Sequence, residues 1–227
     1  MKLYEKPLLE SFSGSSPLFV QNDFVMFPKT GHMFTITDSN DLLMVKKILD
    51  TDQYLTVVLA NNDVKPMSKG YPALYEVGTL VYVFDSEVKS SGKIIINVIG
   101  LEKVEINEAM HDLPYRTGAM TIIKDVMSSP EITEKKRILD IFSEFLHVSK
   151  TDMEASLLNN PLINKEMITN IIASLISIPV HEQQKLLELP DISLRLNVVC
   201  QYLEKEIEKE EPSSLLKESL PIPPDWN

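Results

Sequence analysis

Hydrophobic and polar positions follow two different rhythms along this chain, and the change falls near residue 118. In the first part the apolar residues come in short β-branched and aromatic runs bounded by turn residues, which predicts strands. Tyr54–Leu59, Leu80–Phe84 and Lys93–Ile99 are three such runs, and Val104–Ile106 alternates as a half-buried strand does. Ser90-Ser-Gly92 reads as a hairpin connection with Gly92 free to take a positive φ. One helix interrupts the strands: Leu42, Val45, Ile48 and Leu49 recur at helical spacing, with Ser39 or Asn40 as the cap. Short strands with a single helix predict a small barrel. A parallel sheet would need a helix after nearly every strand.

Beyond residue 118 the period becomes 3.6. Ile138, Ile141, Phe142 and Phe145 form one apolar stripe, Ile168, Ile171, Ile172 and Leu175 a second, and Leu196, Val199, Cys200, Leu203 and Ile207 a third. Thr151-Asp-Met-Glu154 has the form of a capping box. Pro161, Pro179 and Pro190 separate the helices, and Asp191 is placed to cap the last one. The expected architecture is α+β, with a small β-barrel carrying one helix over residues 1–118 and an α-helical bundle of four or five helices over 119–211. Pro212 is expected to end the last helix, leaving 212–227 as a Pro-rich tail that holds Trp226.

Composition then narrows the functional classes. Hydrophobic residues make up 44% of the 227, enough for a sizeable core. Acidic residues outnumber basic ones 33 to 22, for a formal net charge of −11. Residues 1–118 hold 15 acidic and 11 basic side chains (net −4), and 119–227 hold 18 and 11 (net −7). That balance argues against general binding to nucleic acid, which rests on clustered Lys and Arg, and against an anionic membrane surface. The single Cys200 excludes an internal disulfide framework and a cysteine-rich zinc site, and on its apolar stripe it reads as core. Met167–Val180 falls short of the ~20 apolar residues a membrane span needs, and Met1–Glu10 lacks the apolar run of a signal peptide. The expected location is the cytoplasm.

Motifs for catalysis are missing. None of the seven glycines has the spacing of a phosphate-cradling loop or of a dinucleotide fingerprint. His181-Glu182 opens like a zinc-protease motif, but Lys185 stands where the second histidine is required. A Ser–Lys pairing is left open by spacing alone. No cofactor or metal site is expected. Two segments carry candidate binding residues. Pro17–Pro28 packs Phe19, Phe24, Met26 and Phe27 into a stretch whose alternate side chains point to opposite faces. The outward ones are either covered by the helical half or the tail, or they form an apolar groove for an extended peptide. Met33 follows closely, and Met67–Tyr75 adds Met67, Tyr71 and Tyr75, which offer adaptable amphipathic contact.

The order of these segments resembles the N-terminal domain of Lon proteases, here standing alone. The resemblance runs from Pro17-Leu-Phe19 through Val25-Met-Phe-Pro28, Leu42–Leu49 and Tyr54–Ala60 to Glu76-Val-Gly-Thr-Leu80. It continues through Gly92–Gly100 and Pro114-Tyr115 to Gln184-Lys-Leu-Leu-Glu188 and Arg195-Leu196, covering about residues 15–210. Three places depart from the family's pattern. Lys29-Thr-Gly31 replaces a glycine directly after Pro28, Thr37–Asn40 replaces an acidic, proline and arginine turn, and Lys103 replaces an arginine. The resemblance implies a PUA-like β-barrel followed by a helical bundle. It also implies a non-catalytic module that recognises unfolded or tagged polypeptides, or an adaptor in protein quality control, working with a separate protease or chaperone. The ATPase and Ser–Lys protease modules of full-length Lon are absent from the 227 residues, so no catalytic residue is expected. The alternative is an RNA-binding PUA-like protein, using a patch around Lys65, Lys69, Lys89 and Lys93.

Overall fold

The computed structural model describes residues 9–65, 71–109, 114–128, 131–149, 160 and 163–218. Its sheet part comprises β1 (Ser15–Gln21), β2 (Gly31–Ile36), β3 (Tyr54–Asn61), β4 (Ala73–Leu74), β5 (Val77–Val88), β6 (Ile94–Ala109) and β7 (Thr117–Ile123), with α1 (Ser39–Leu49) between β2 and β3. The helical part comprises α2 (Glu131–Val148), α3 (Lys165–Leu175), α4 (Val180–Glu188) and α5 (Ile192–Glu218). The strand order is β1-β7-β6-β5-β3-β4, and β2 pairs with the first half of β6. All pairings are antiparallel except that of β1 with β3, which runs Leu18 beside Thr56 to Gln21 beside Leu59. That parallel pair closes β1, β7, β6, β5 and β3 into a ring, the closure a small barrel requires.

All five ring strands contribute to one apolar cluster, with Leu18, Tyr54, Val58, Leu80, Leu101, Val104 and Met120 buried in it. A second cluster gathers Phe19, Phe34, Ile36, Val57, Val83, Ile96 and Val98 under Met44, Val45 and Ile48 of α1. The third is mostly helical, but Val25, Phe27 and Leu59 from the sheet part are buried within it. The two parts therefore share a core.

Several local expectations are refined by physics. Helix α1 is capped by Asp38 and not by Ser39 or Asn40; the Asp38 carboxylate accepts the Asn40 and Asp41 amides at 2.8 and 3.2 Å. Gly92 does take a positive φ, 81°, in the β5–β6 turn. The runs at Lys93–Ile99 and Val104–Ile106 are one strand, β6, passing unbroken through Gly100. The sheet continues past residue 118 to Ile123. Helix α5 runs through Pro212 to Glu218. A proline removes one helical hydrogen bond and bends a helix, and the Leu215-Leu-Lys-Glu218 run beyond it favours helix. Asp191 caps α5 as expected, accepting the Ser193 amide at 2.7 Å. Hydrogen bonds from the Ser128 side chain and from nearby amides hold its carboxyl below the usual range. The segment Thr151–Glu154, Pro161 and Trp226 lie outside the described residues.

Cys200 is fully buried on α5. Burial pushes its thiol up to about 11. At pH 8 an aromatic disulfide reagent should leave the folded protein unlabelled and modify one thiol per chain only after denaturation. Rapid labelling of the native protein would place Cys200 at the surface instead.

Candidate functional site

A cleft of about 560 Å³ lies where the sheet part meets the helices. One wall is the turn into β2, with Lys29, Thr30 and Gly31, together with Ile99 of β6. The other is α3, presenting Met167, Ile171, Ser174 and Leu175. Helix α3 starts at Asn164, whose side chain accepts the Met167 amide at 2.9 Å, and Glu166 lies in its first turn where the helix dipole favours an acid. Ile168 and Ile172 turn into the helical core. The residues beside them on the helix therefore form the apolar wall. The second apolar stripe read from the sequence is thus split: Ile168 and Ile172 are core, whereas Leu175 is 50% exposed at the cleft.

The turn opposite is held by unusual backbone geometry. Lys29 has φ 66°, a left-handed conformation that costs a non-glycine residue about 1 kcal/mol or more. This is the position where the resemblance placed a glycine. In this chain the conformation is pinned from several sides. The Lys29 amide donates to the Gly100 carbonyl at 2.8 Å, the Gly100 amide donates to the Thr30 carbonyl at 2.8 Å, and the Lys29 ammonium reaches the Leu101 carbonyl at 2.6 Å. Lys29 also pairs with Glu102 at 3.3 Å. Beneath the turn, the Thr79 hydroxyl donates to the Met26 carbonyl at 2.6 Å.

A buried polar network fixes the two walls relative to each other. Asn170 of α3 donates to the Pro28 carbonyl at 3.1 Å and accepts from Arg195 of α5 at 2.8 Å. The Arg195 guanidinium, fully buried, also donates to the carbonyls of Leu186, Leu187 and Leu189 and pairs with Asp125 at 2.8 Å. Lys103 of β6 pairs with the same Asp125 and donates to the Leu189 carbonyl at 3.1 Å. Burial pushes the pKa values of Arg195 and Lys103 down, while Asp125 favours their charged forms. Glu166 nearby has its carboxyl pushed up by burial, against the pull of Lys29. Gln184 of α4 adds a tie to β5, donating to the Val77 carbonyl at 3.0 Å.

The residues expected to form one binding face are dispersed. Phe19 and Phe27 are buried, at 6% and 0% exposure, in two different clusters. Neither side chain is available to a ligand in this fold: Phe19 of β1 packs in the sheet cluster under α1, and Phe27, on the segment after β1, packs in the helical cluster. Phe24 is half-buried and packs against His32 in a tilted ring pair, with centroids 4.2 Å apart. Met33 is 59% exposed on β2 and does not line the cleft. Tyr71 is exposed beside Arg116, and Tyr75 packs on the helical cluster; neither lines the cleft. Met67 lies outside the described residues. The cleft residues Ile171 and Leu175 read in the sequence only as part of a core stripe, and Ser174 carries no signal there. What points to this wall in the sequence is the width of the apolar arc, which is broader than one packed face of an 11-residue helix needs.

One Ser–Lys pair does form: Lys165 donates to the Ser193 hydroxyl at 2.9 Å. Both side chains are buried, and the Lys165 ammonium is also ion-paired with Glu134 at 2.6 Å. Among the described residues there is no group of His, Cys, Asp and Glu side chains that could hold a metal ion. No helix among them is long and apolar enough to cross a membrane.

Comparison with known proteins places this architecture. Among solved structures, the N-terminal domain of the Mycobacterium avium complex Lon protease superposes with a TM-score of 0.67 at 14% identity, over 84% of this chain and 98% of that one. The Lon N-terminal domain protein from Xanthomonas campestris superposes with a TM-score of 0.60 at 18% identity, over 82% and 96%. These likenesses carry the fold. In sequence, the Lon protease of Cytophaga hutchinsonii is 24% identical over 88% of this chain and 25% of its own length. That of Syntrophomonas wolfei is 30% identical over 60% of this chain and 17% of its own length. The chain thus spans about a quarter or less of the curated relatives it matches. The family model for the ATP-dependent protease La (LON) substrate-binding domain matches residues 15–205, and the chain belongs to that family.

Proposed function

We propose that this protein is a non-catalytic polypeptide-binding module, which holds unfolded or tagged chains in extended form at the cleft between the β2 turn and α3. In this reading it serves as a substrate-recognition unit or adaptor for a protease or chaperone. The observation that carries the reading is the cleft itself: an apolar trough between two walls whose spacing is set by buried hydrogen bonds through Asn170. A pre-formed trough spares the bound state part of the ordering cost of association. Membership of a substrate-binding domain family supports polypeptide as the ligand. The charge pattern supports it over RNA, since Lys29, the only cation on the cleft walls among the described residues, is already committed to Glu102.

Leu175 supplies the test, because its half-exposed side chain can change without disturbing the core. Leu175→Asp should weaken binding of a labelled unfolded polypeptide by about ten-fold or more, the size expected of an apolar anchor at an interface. The denaturation midpoint should stay close to wild type. Unchanged affinity with the variant folded would remove the cleft from the binding site.

A further inference from the structure

Strand β2 pairs only with β6, so its other edge has no strand partner among the described residues. No backbone hydrogen bond from a turn or loop among them fills that edge between His32 and Ile36. An unpaired edge is a template for another extended chain, and proteins usually blunt such edges with charge, proline or a bulge. Here the edge carries none of these: Gly31, His32, Met33 and Thr35 are all exposed and uncharged at neutral pH, burial holding the His32 imidazole toward its neutral form.

Gly31 gives a second observation. Its φ is not positive, and a Cβ built there would meet only the Val98 carbonyl, at an ordinary 3.8 Å. The fold does not require glycine at this position. A glycine on a strand that nothing in the fold demands fits the close approach of another backbone. It also sits at the mouth of the cleft.

The far end of β2 supplies charge. Asp38 and Asp41 follow it, and neither has an ion-pair partner among the described residues. Burial, and after it the neighbouring Asp38, push the Asp41 carboxyl up. The edge thus runs from an apolar cleft at Gly31 to an acidic end at Asp38, so the occupant it fits is an extended segment that is apolar at one end and basic at the other.

Building on the polypeptide-binding reading, we propose that the substrate adds as an antiparallel strand on the free edge of β2, its apolar side chain in the cleft and a basic side chain about seven residues N-terminal to it against Asp38 and Asp41. Antiparallel addition gives the stronger pairing and sets this order. The main chain supplies affinity without regard to sequence, and the two ends supply selection.

The test uses a labelled, otherwise uncharged peptide with lysine and leucine at that spacing, and two versions N-methylated on alternate residues. In an added strand only one alternate set of amides faces β2. One methylated version should therefore bind at least ten-fold more weakly, and the other should match the parent. The double variant Asp38→Asn, Asp41→Asn, which keeps a good helix cap, should lose several-fold affinity for this peptide but none for one with norleucine in place of lysine. Equal effects of the two methylation sets would overturn strand addition and leave the cleft reading standing. Failure of the unmodified peptide to bind, while Leu175→Asp still impairs binding of a full unfolded protein, would overturn the proposal alone. Failure of both ligands to bind would overturn the underlying reading as well. Gly31→Ala should fold normally and bind less well; full affinity would show that no backbone approaches that position.

Discussion

Replacing Arg195 by methionine should lower the stability of this protein by about 3–5 kcal/mol, the range for removing one partner of a buried ion pair. The guanidinium has no exposure, and its contacts tie α5 to the carbonyls that end α4, to Asn170 on α3 and to Asp125 after β7. Methionine fills much of the volume but leaves the Leu186 and Leu187 carbonyls and one side of Asp125 without the Arg195 donor, with Lys103 alone remaining on the Leu189 carbonyl. Lysine keeps the charge and still fails, because a single ammonium cannot reproduce a fork that meets carbonyls and a carboxylate in different directions. Arg195→Lys should therefore recover only a minor part of the loss. Because Asn170 connects Arg195 to the Pro28 carbonyl, both variants should also loosen the cleft walls. Urea denaturation checks the first effect, and polypeptide affinity well below the unfolding transition checks the second. A loss under about 1 kcal/mol, the size of an ordinary surface change, would mean that the network is not holding the two halves together.

Gly100→Ala should be comparably damaging, by about 3 kcal/mol, the upper end for overpacking a tight site. A Cβ at this position would sit 2.5 Å from the Phe27 carbonyl oxygen and 3.2 Å from the Pro28 Cα. Both are backbone atoms in a turn that Lys29, Thr30 and Thr79 pin in place. Relief requires the turn to lift away from β6, which pulls the fully buried Phe27 out of the helical cluster and opens the cleft wall. Circular dichroism thermal melts would report the loss. Wild-type stability for the alanine variant would show that the turn is not seated on Gly100 as described.

The two damaging substitutions also show which features are legible in the sequence. The change of period near residue 118 locates the two halves, because burial on one face writes a period of 2 in strands and 3.6 in helices. The Tyr54–Leu59 run is readable because β3 is buried along nearly its whole length, so it appears as continuous apolar residues. Strand β2 escapes such a reading, because Gly31-His-Met-Phe-Thr-Ile36 is largely exposed and only Phe34 and Ile36 are buried. Gly100 reads as a break between two strands, since its requirement comes from the Phe27–Pro28 backbone, far away in sequence. Gln184 and Arg195 carry part of the family resemblance, but their role needs coordinates, as their partners lie on Val77, Asn170 and Asp125.

The candidate site is less legible than the fold. Aromatic density draws attention to Phe19 and Phe27, yet aromatic side chains are large apolar bodies that cores take up first. Their burial is a tertiary fact: Phe19 of β1 lies in the cluster under α1, and Phe27 of the β1–β2 segment lies in the helical cluster. The cleft wall on α3 is hidden for the opposite reason. Ile171 and Leu175 share a stripe with core residues, and periodicity alone does not say where packing stops. Lys29 stands out in the sequence as a departure from the family's glycine, and in the fold it sits at the rim of the cleft with φ 66°.

The central claim, that the cleft receives the polypeptide, is tested most directly by site-specific photocrosslinking to an unfolded protein. A photoreactive residue replaces Leu175 in one variant and Leu194 in another. The two leucines are 50% and 53% exposed, but only Leu175 lines the cleft. Crosslinking at position 175, competed by unlabelled polypeptide and largely absent at position 194, is the expected result. Equal crosslinking at both positions, or crosslinking at 194 alone, would contradict the account.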